Sequence, residues 1–423
     1  MVSSEDSRDK IVLAYSGGLD TSISVKWLQE KYDMDVVAVS IYVGQPGDMD
    51  ATMAKAKKVG ALDAYAVDVQ EEFVNDYVFP SLKANAMYQD KYPLATAIAR
   101  PLMAKILVDV AKKEGAKYIA HGCTAKGNDQ VRFDVSINSL APHIEIIAPM
   151  REWIYTREEG IEYAKEHGIE IPIKKASPYS IDENLWGRSC ECGILEDASV
   201  EPPEDAYEWT DSPLSAPDDP EYLTIDFEKG IPVALNGEKI PPVELIKKIN
   251  EIAGKHGIGR IDMIEDRLVG IKSREIYEAP GAVVLVNAHK DLESMVLPKD
   301  LQAFKKSVDQ KYGELSYNGL WFSPFKETLD AFVDKSQEKV TGWVKVKLYK
   351  GSVVVVGRSS PYSLYDTAIS TYDSGDQFEH GAAKGFIYCW GLPLRTAAQA
   401  YKEKVNIGEQ EGPMVGEIQE RGQ

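Results

Sequence analysis

The sequence predicts an α/β protein with an N-terminal domain built on a parallel sheet, a second α+β domain and a C-terminal helical tail. Three observations support this fold class. Short apolar runs alternate with helical segments early in the chain, which is typical of parallel sheets with right-handed crossovers. Hydrophobic periodicity weakens beyond about residue 172, which indicates a domain boundary. Residues 344–348 and 353–356 flank a Lys350-Gly351 turn and predict a hairpin.

The first strand and helix enclose the most informative turn. Residues 11–15 have the length and composition of a buried strand, and a Ser-Gly-Gly turn at residues 16–18 leads into a helix. Gly17 and Gly18 allow close approach of the backbone to a ligand, and a helix N-terminus with unpaired amides attracts phosphate. Hydroxyl and carboxylate side chains follow at once: Asp20, Thr21 and Ser22.

Two well-known phosphate motifs do not fit this turn. No Lys follows the glycines, and no third Gly completes a dinucleotide fingerprint. An ordinary tight turn would explain Gly17 and Gly18 but not the surrounding hydroxyl groups. The stretch resembles the pyrophosphate-binding loop of enzymes that split ATP into AMP and pyrophosphate.

The next elements continue the parallel sheet. Residues 35–43 form a second buried strand that ends in a Gly-Gln-Pro-Gly loop, followed by a helix at 50–59 and a strand near 64–67. A helix starting at Pro93 leads to a strand at 117–120. Its polar loop, residues 121–132, should face the first turn across a cleft, because ligands bind at the carboxyl ends of parallel strands.

The rest of the chain predicts five further elements. Residues 144–148 form a strand, and Thr156 with Glu159 makes a capping box for a helix that ends near Gly168. In the second domain, Leu245, Ile249 and Ile252 line one face of a helix, and residues 261–264 form a strand. A polar helix at 393–405 begins a tail that is either disordered or docked on a neighbouring subunit. We therefore predict three parts: residues 1–172, 173–390 and 391–423.

Composition limits the classes of function. The net charge of −19 argues against a nucleic-acid surface, and no apolar run is long enough to span a membrane, so we expect a cytoplasmic protein. Residues 191–228 carry thirteen carboxylates without Lys or Arg, and we expect an exposed, solvated excursion there. Four cysteines are too few for a disulfide framework, and Cys190 and Cys192 lack a second ligand pair, so we interpret them as structural thiols.

Several blocks together resemble one family, the argininosuccinate synthases. Two of them are not general nucleotide-binding signals: Gly-Asn-Asp-Gln-Val-Arg-Phe at residues 127–133 and Gly-Arg-Ile-Asp at residues 259–262. The resemblance extends from about Lys10 to Val405. The blocks, in the family's order, are residues 14–22, 92–101 with Ala99-Arg100-Pro101, 121–132, 177–185 and 260–280.

This resemblance implies ATP-dependent ligation of L-citrulline to L-aspartate through a citrullyl-adenylate, giving argininosuccinate, AMP and pyrophosphate. It also implies Mg²⁺, a cytoplasmic homotetramer, and a role in arginine biosynthesis or the urea cycle. Residues 1–172 would be an ATP pyrophosphatase domain of the adenine nucleotide alpha hydrolase-like type. Residues 173–390 would be the synthetase domain, and residues 391–423 would serve oligomerisation.

The chemistry itself favours such a loop. A ureido carbonyl is a poor electrophile whose oxygen is a poor leaving group, so an amine does not displace it unaided. Adenylation supplies the leaving group, and the departing pyrophosphate needs amide and hydroxyl donors together with a cation. Positioning should therefore carry most of the rate.

The resemblance also implies site residues. We expect Ser16, Asp20 and Asp129 to be catalytic, and Asp20 to help hold Mg²⁺ on the ATP phosphates. The ATP site would comprise Ala14, Tyr15, Ser16, Gly17, Gly18, Leu19, Asp20, Thr21, Ser22, Ile41 and Gly122. The aspartate site would comprise Thr124, Asn128 and Asp129. The citrulline site would comprise Tyr92, Thr96, Ala97, Asn128, Arg132, Ser180, Ser189, Glu265 and Tyr277. The chain departs from the family pattern at Ala95-Thr96-Ala97, where many members have Gly-Thr-Ser or Gly-Thr-Ala.

Alternatives remain open at this point. Another ATP pyrophosphatase, such as a tRNA thiolase or an amidotransferase synthetase, would share the loop, but the first would favour a basic surface and a cysteine set, and the second a glutaminase domain. A nucleotide sensor without catalysis would not need two amino-acid pockets. Taken singly, Tyr92 and Tyr277 fit core aromatics, and Arg132 fits a surface ion pair. Citrulline-dependent release of pyrophosphate would discriminate among these functions.

Overall fold

The computed structural model describes residues 8–153, 155–170 and 178–401, with Arg157 described by its backbone. Four sequence-based predictions fall partly outside this range. They concern the polar segment before residue 8, the boundary near residue 172, Ser177 and helix residues 402–405.

The N-terminal domain is built on a five-stranded parallel sheet with helices packed on it, as predicted. The strand order is β3-β2-β1-β4-β5. The strands are β1 (Lys10–Ala14), β2 (Asp35–Tyr42), β3 (Asp63–Asp68), β4 (Tyr118–Ala120) and β5 (Glu145–Ile147). The helices are α1 (Leu19–Tyr32), α2 (Met49–Val59), α3 (Gln70–Phe73), α4 (Phe79–Lys83), α5 (Ala95–Glu114), α6 (Asn128–Leu140), α7 (Pro149–Glu152) and α8 (Arg157–Glu166), with a π-helical turn at Val74–Val78.

The central strand sets the position of the cleft. In β1, Leu13 pairs with Ala38 of β2 on one side and with Ala120 of β4 on the other. Chain order reverses at this point, and such a reversal opens a crevice at the carboxyl end of the sheet. The loops after β1 and β4 therefore meet there, as the sequence predicts.

Two local predictions on helices have different outcomes. The capping box of α8 is present, because the Thr156 hydroxyl accepts from the Glu159 amide and the Glu159 carboxylate accepts from the Thr156 amide. The start of α5 at Pro93 is wrong. Leu94 adopts a left-handed conformation with φ of 68°, so the helix begins only at Ala95.

The second domain, described here over residues 178–364, contains two antiparallel sheets and four α-helices. One sheet has the order β10-β9-β8-β13-β14, and the other has the order β11-β12-β7-β6. The strands are β6 (Ser180–Asn184), β7 (Gly187–Glu191), β8 (Glu221–Glu228), β9 (Ile231–Leu235), β10 (Glu238–Lys239), β11 (Arg260–Asp266), β12 (Lys272–Glu278), β13 (Gly342–Tyr349) and β14 (Ser352–Ser359). The helices are α9 (Pro242–Lys255), α10 (Pro280–Val296), α11 (Lys299–Tyr317) and α12 (Pro324–Gln337). The predicted hairpin is confirmed as β13 and β14.

The acidic stretch 191–228 corrects one expectation. Its last eight residues are not a solvated excursion, because they form β8, the central strand of a sheet. Leu223, Ile225 and Phe227 are buried at alternate positions along it, with polar residues between them. This period-two pattern is the strand signal that the density of carboxylates concealed.

The two domains share contacts along α5 and the loop after β2. Helix α5 packs against β1 and β2 and also against β6 and β7. The Leu185 amide donates to the Val43 carbonyl at 3.0 Å, and the Trp186 indole donates to the Pro93 carbonyl at 2.9 Å. Gly44 has a φ of 108°, and a Cβ there would lie 2.3 Å from Leu185 Cγ. Only glycine fits at this junction.

The described residues beyond Leu364 belong to a second unit of the chain. Its helices are α13 (Thr367–Ser370), α14 (His380–Trp390) and α15 (Leu392–Tyr401). These helices bury no residue, and large apolar side chains such as Phe386, Trp390 and Leu394 are exposed. Across the described residues, no helix combines the length and apolar character needed to cross a membrane.

Candidate active site

A first cleft of about 500 Å³ opens at the carboxyl end of the parallel sheet. Residues from the loops after β1, β2 and β4 line it, together with Arg100, Asp182 and Glu183 from the domain junction. Eight predicted ATP-site residues lie in this cleft: Ala14, Tyr15, Ser16, Gly18, Asp20, Thr21, Ile41 and Gly122.

The Ser-Gly-Gly turn presents polar hydrogens to this cleft. Gly18 is the N-cap of α1 and offers no side-chain acceptor, so the first-turn amides remain available to a ligand. The Gly18 amide donates to Ser16 Oγ at 3.4 Å, and Ser16 Oγ lies 3.2 Å from Thr21 Oγ1. Gly122 closes the turn from the opposite loop, since a Cβ there would lie 3.4 Å from the Thr21 methyl group. The arrangement suits an anion of several oxygens.

Three predicted ATP-site residues do not line the cleft. Gly17 has a φ of 75° and turns its carbonyl away toward α2, while Leu19 packs against the hydrophobic core. Ser22 is buried, and its hydroxyl lies 3.1 Å from the Tyr15 hydroxyl. These residues shape the turn from behind.

Asp20 is exposed at the mouth of the cleft. The Tyr155 hydroxyl donates to its Oδ1 at 3.0 Å. Burial, reinforced by the Asp20 charge, raises the pKa of Tyr155 above its usual value, so the phenol remains a donor at neutral pH. The second carboxylate oxygen, Oδ2, can face a cation.

A second cleft, of about 750 Å³, contains the predicted residues Thr124 and Ser180, both exposed. Cationic side chains dominate its wall: Lys126, Arg151, Arg267, Lys272 and Arg274. Glu191, Glu196 and Cys192 line it as well. Four of these cations already pair with carboxylates of the protein: Arg151, Arg267, Lys272 and Arg274. The cationic side chains along the wall still favour an anionic ligand.

A buried polar cluster joins the two domains beside these clefts. The Tyr277 and Tyr317 hydroxyls each donate to the Glu265 carboxylate at 2.7 Å, and Glu265 is only 2% exposed. The Asn128 amide donates to the Tyr317 hydroxyl at 2.8 Å, and its carbonyl oxygen accepts from the Leu268 amide at 2.8 Å. Glu265 is therefore a buried carboxylate that accepts hydrogen bonds from neutral hydroxyl and amide donors.

Stacked tyrosines enclose this cluster. Tyr92 stacks on Tyr277 with ring centroids 4.1 Å apart, and Tyr88 stacks on Tyr317. The Tyr92 and Thr96 hydroxyls lie 2.6 Å apart, so Thr96 orients the phenol. Burial raises the pKa of Tyr92 to about 12. Tyr92 and Tyr277 thus come together, as the sequence predicts.

Arg132 lies at the base of the cluster with one donor unused. Its Nε donates to the Tyr317 carbonyl at 2.9 Å, and Nη1 donates to Asp129 Oδ1 at 2.9 Å. Nη2 is buried and has no hydrogen-bond partner among the described residues. An unsatisfied guanidinium nitrogen in such a place is costly unless a ligand carboxylate takes it.

Arg100 connects this cluster with the first cleft. Its guanidinium bonds Asp129 Oδ2, with Nε at 2.9 Å and Nη2 at 2.8 Å, and Nη2 also bonds Asp182. Burial raises the pKa of Asp129, but the charges of Arg100 and Arg132 outweigh it and hold that pKa below the usual range. Arg100 belongs to one of the family blocks, but the sequence alone assigns it no role.

The remaining predicted residues have different surroundings. Ala97 is fully buried in the hydrophobic core, and its methyl group faces other apolar side chains. Ser189 is half-buried opposite Tyr277 in the strand register, and its hydroxyl donates to the Asp182 carbonyl at 3.3 Å. Ser189 lies next to the polar cluster, whereas Ala97 only packs.

The cysteines form no metal centre in the described part of the chain. Cys190 is buried in a small core cluster with Leu195 and Ile276. Among the described residues, no group of three His, Cys, Asp or Glu side chains could hold a metal ion.

Two family models match the chain. The model of the arginosuccinate synthase N-terminal HUP domain covers residues 10–170, and the model of the arginosuccinate synthase C-terminal domain covers residues 179–397. A solved structure, the U34-tRNA thiolase NcsA from Methanococcus maripaludis with its 4Fe-4S cluster, matches 40% of this chain and 61% of that chain at 17% identity. Its TM-score of 0.27 is too low to carry an argument.

Curated relatives match nearly the whole chain. An argininosuccinate synthase from Symbiobacterium thermophilum is 55% identical over 94% of this chain and all of its own length. One from Dehalococcoides mccartyi is 59% identical over 92% of this chain and 96% of its own, and one from Oceanobacillus iheyensis is 57% identical over 92% and 94%. By these matches and by both family models, the chain belongs to the argininosuccinate synthase family.

Proposed function

We propose that this protein ligates L-citrulline to L-aspartate at the expense of ATP. The ureido oxygen of citrulline attacks the α-phosphorus of ATP and expels pyrophosphate. The amine of aspartate then attacks the ureido carbon of the citrullyl-adenylate, AMP leaves, and argininosuccinate forms. The observation that carries the proposal is the chain of ion pairs from Arg132 through Asp129 to Arg100. This chain links the buried polar cluster to the first cleft, which contains the Ser-Gly-Gly turn.

The first cleft would take ATP. Ser16, Thr21 and the first-turn amides of α1 face the position where the pyrophosphate charge develops, and preorganised donors of this kind lower the barrier. Asp20 would hold Mg²⁺ together with phosphate oxygens, because this ion binds through one or two carboxylates and keeps several waters. Bound there, Mg²⁺ would neutralise phosphate charge. The single exposed carboxylate of Asp20 fits that coordination.

The buried cluster would take citrulline. Arg132 Nη2 offers its unused N–H to the α-carboxylate, and Glu265 accepts from the α-ammonium group. Tyr92 and Tyr277 would flank the chain, Thr96 and Ser189 would offer hydroxyl groups at the cluster, and Ser180 would offer one from the second cleft. Ala97 would shape the pocket only through its backbone, because its methyl group is buried in the core.

Aspartate would bind between the two clefts. Thr124 and Asn128 would donate to its carboxylates, and Asp129 would accept from its ammonium group. Since Arg100 already pairs with both Asp129 and Asp182, aspartate must displace part of this ion pair. The displaced guanidinium lines the first cleft, where phosphate charge offers an alternative partner.

The assembly and the compartment belong to the same proposal. Exposed apolar side chains on α14 and α15 support a homotetramer in which this unit covers a neighbouring chain. We place the enzyme in the cytoplasm, acting in arginine biosynthesis, with the urea cycle as the corresponding pathway of nitrogen disposal. We propose functional boundaries at residues 172 and 390.

One experiment tests the function. Pyrophosphate release from ATP should require citrulline, and omission of aspartate should leave adenylation but prevent formation of argininosuccinate. Uncharged tRNA and glutamine in place of citrulline are the controls. Release that depends on either control substrate, or no release under any condition, would refute the proposal.

A further inference from the structure

A lysine outside the predicted site contacts the pyrophosphate turn from behind. Lys55 lies on α2, and its ammonium donates to the Gly17 carbonyl at 2.5 Å across 38 positions of sequence. The turn lacks the lysine that phosphate loops carry within their own motif. Here a neighbouring helix supplies a cation at the same turn.

The contact fixes the orientation of one peptide plane. In a planar trans peptide, the carbonyl of one residue and the amide of the next point in opposite directions. Lys55 holds the Gly17 carbonyl toward α2, and the Gly18 amide points the other way, to Ser16 Oγ in the first cleft. Gly17 has a φ of 75° and no side chain, so no other atom of Gly17 fixes the orientation of this peptide plane.

Helix α2 packs directly against this turn. Thr52 and Lys55 are three positions apart and thus share a helix face. A Cβ at Gly17 would lie 3.5 Å from the Thr52 methyl group, and the Thr52 hydroxyl lies 3.0 Å from the Tyr42 hydroxyl, beside the cleft. The Asp48 carboxylate caps the start of the helix by accepting from the Ala51 amide. The helix therefore positions Lys55 rigidly.

Lys55 forms no ion pair with a carboxylate among the described residues. Burial lowers the pKa of Lys55, and no described carboxylate opposes this effect. The next lysines along the helix differ, since Lys57 pairs with Asp63 and Lys58 with Glu170 at the surface. Lys55 alone among these three directs its charge at the turn.

We propose that Lys55 is a positioning residue that holds the Gly17–Gly18 peptide so that the turn presents its amide hydrogens to the departing pyrophosphate. The inference rests on the proposed function. It predicts an effect on ATP and pyrophosphate that does not extend to the two amino acids, because Lys55 contacts neither the second cleft nor the buried cluster.

The test compares Lys55→Met with Lys57→Met, a matched change at an exposed position of the same helix. Citrulline-dependent pyrophosphate release gives kcat and the KM of each substrate, and added inorganic pyrophosphate gives an inhibition constant. We expect Lys55→Met to weaken pyrophosphate inhibition and to lower kcat/KM for ATP, each by about tenfold or more, as for loss of a charge-assisted hydrogen bond. The KM values for citrulline and aspartate should stay near those of the wild type, and Lys55→Arg should recover part of the loss.

Three outcomes decide the matter. Kinetics of Lys55→Met that match those of Lys57→Met would overturn the inference while leaving the function intact. An equal fall for all three substrates, together with a lower melting temperature, would show a structural role and also overturn it. An inactive wild type would instead refute the proposed function. Lys55→Gln, which keeps an N–H donor without the charge, replaces Lys55→Met if that variant does not fold.

Discussion

At the scale of single residues, charge pairing governs the candidate site. Asp129 lies between Arg100 and Arg132, and Arg132 has an unused donor. The residue types could be predicted from sequence because the family blocks contain them. Their pairing could not, since Arg100 is on α5, Asp129 on α6 and Asp182 on β6, and only the packing of these elements brings the three together.

Asp129→Ala should separate the two chemical steps. The variant loses the proposed acceptor for the aspartate ammonium group, but the Ser-Gly-Gly turn and Glu265 remain. We expect citrulline-dependent adenylation, measured by exchange of labelled pyrophosphate into ATP, to persist while formation of argininosuccinate falls by a factor of about 100 or more. Normal ligation by this variant would show that aspartate binds elsewhere.

Arg132→Lys should weaken citrulline binding. A lysine cannot reproduce the fork that bonds Asp129, the Tyr317 carbonyl and a ligand carboxylate at once. The KM for citrulline should rise by about tenfold to a hundredfold with the KM for ATP nearly unchanged. Arg358→Lys, at an exposed arginine that pairs with the half-buried Asp291, is the control. Equal effects of the two substitutions would argue against a contact with citrulline.

At the scale of elements, backbone conformation decides what the sequence pattern leaves open. The period-two pattern of β8 was present in the sequence but hidden by its carboxylates, and the left-handed Leu94 delays α5 despite the favourable Pro93. The strands of the parallel sheet could be predicted because their apolar runs are continuous. The contact between the two domains could not be predicted from the sequence, because it depends on Gly44 and Leu185, which are 141 positions apart (185 − 44).

Gly44→Ala should destabilise the junction. The added methyl group would meet the Leu185 side chain and backbone, in addition to the strain of a positive φ. We expect a loss of about 2–5 kcal/mol in the free energy of unfolding, from strain and overpacking together. Gly270 also has a positive φ, 86°, but open space surrounds it. Gly270→Ala should therefore lower the free energy of unfolding by only about 1 kcal/mol. Urea denaturation compares the two, and equal losses would contradict the close contact.

The free energy of unfolding should depend on pH through Asp309, which lies on helix α11. Burial raises the pKa of Asp309 from 3.8 to about 6 despite its bond to Lys305 at 2.7 Å. Because the folded pKa exceeds the unfolded value, the stabilising contribution is complete below about pH 3.8 and is lost as the pH rises through about 6. Raising the pH from 5 to 7 should therefore remove about 1 kcal/mol.

Asp309→Asn should lack this contribution. The difference between its unfolding free energies at pH 5 and pH 7, obtained from urea curves, should be smaller than in the wild type. Asp334→Asn, which changes an exposed carboxylate, is the control. An unchanged pH dependence in Asp309→Asn would mean that Asp309 is ionised throughout this range.

At the scale of the whole molecule, the C-terminal unit exposes apolar side chains of a kind that usually pack against another chain. Its helices bury nothing of their own, although α14 and α15 carry aromatic and aliphatic side chains. The sequence predicts a helix at 393–405, and the structure describes a helix over Leu392–Tyr401. The sequence does not show which surface this helix covers, because periodicity identifies the apolar face of a helix but not its neighbour.

The double substitution Trp390→Glu and Leu394→Glu should reduce the assembly. Charges on this apolar face would oppose burial against another chain. Light scattering coupled to size exclusion should show a smaller mass than in the wild type. Leu214→Glu, at a residue that is 93% exposed in the larger unit, should leave the mass unchanged. An unaltered mass in the double variant would remove this unit from the interface.

The tyrosine stacks over Glu265 have a kinetic consequence. Tyr92 and Glu265 are nearly inaccessible to solvent, and the stacked pairs join segments of both domains. In the proposed citrulline site, the substrate therefore reaches Glu265 only after the stacked rings have moved apart. At high citrulline concentration, the observed rate of association should level off at the frequency with which that opening occurs.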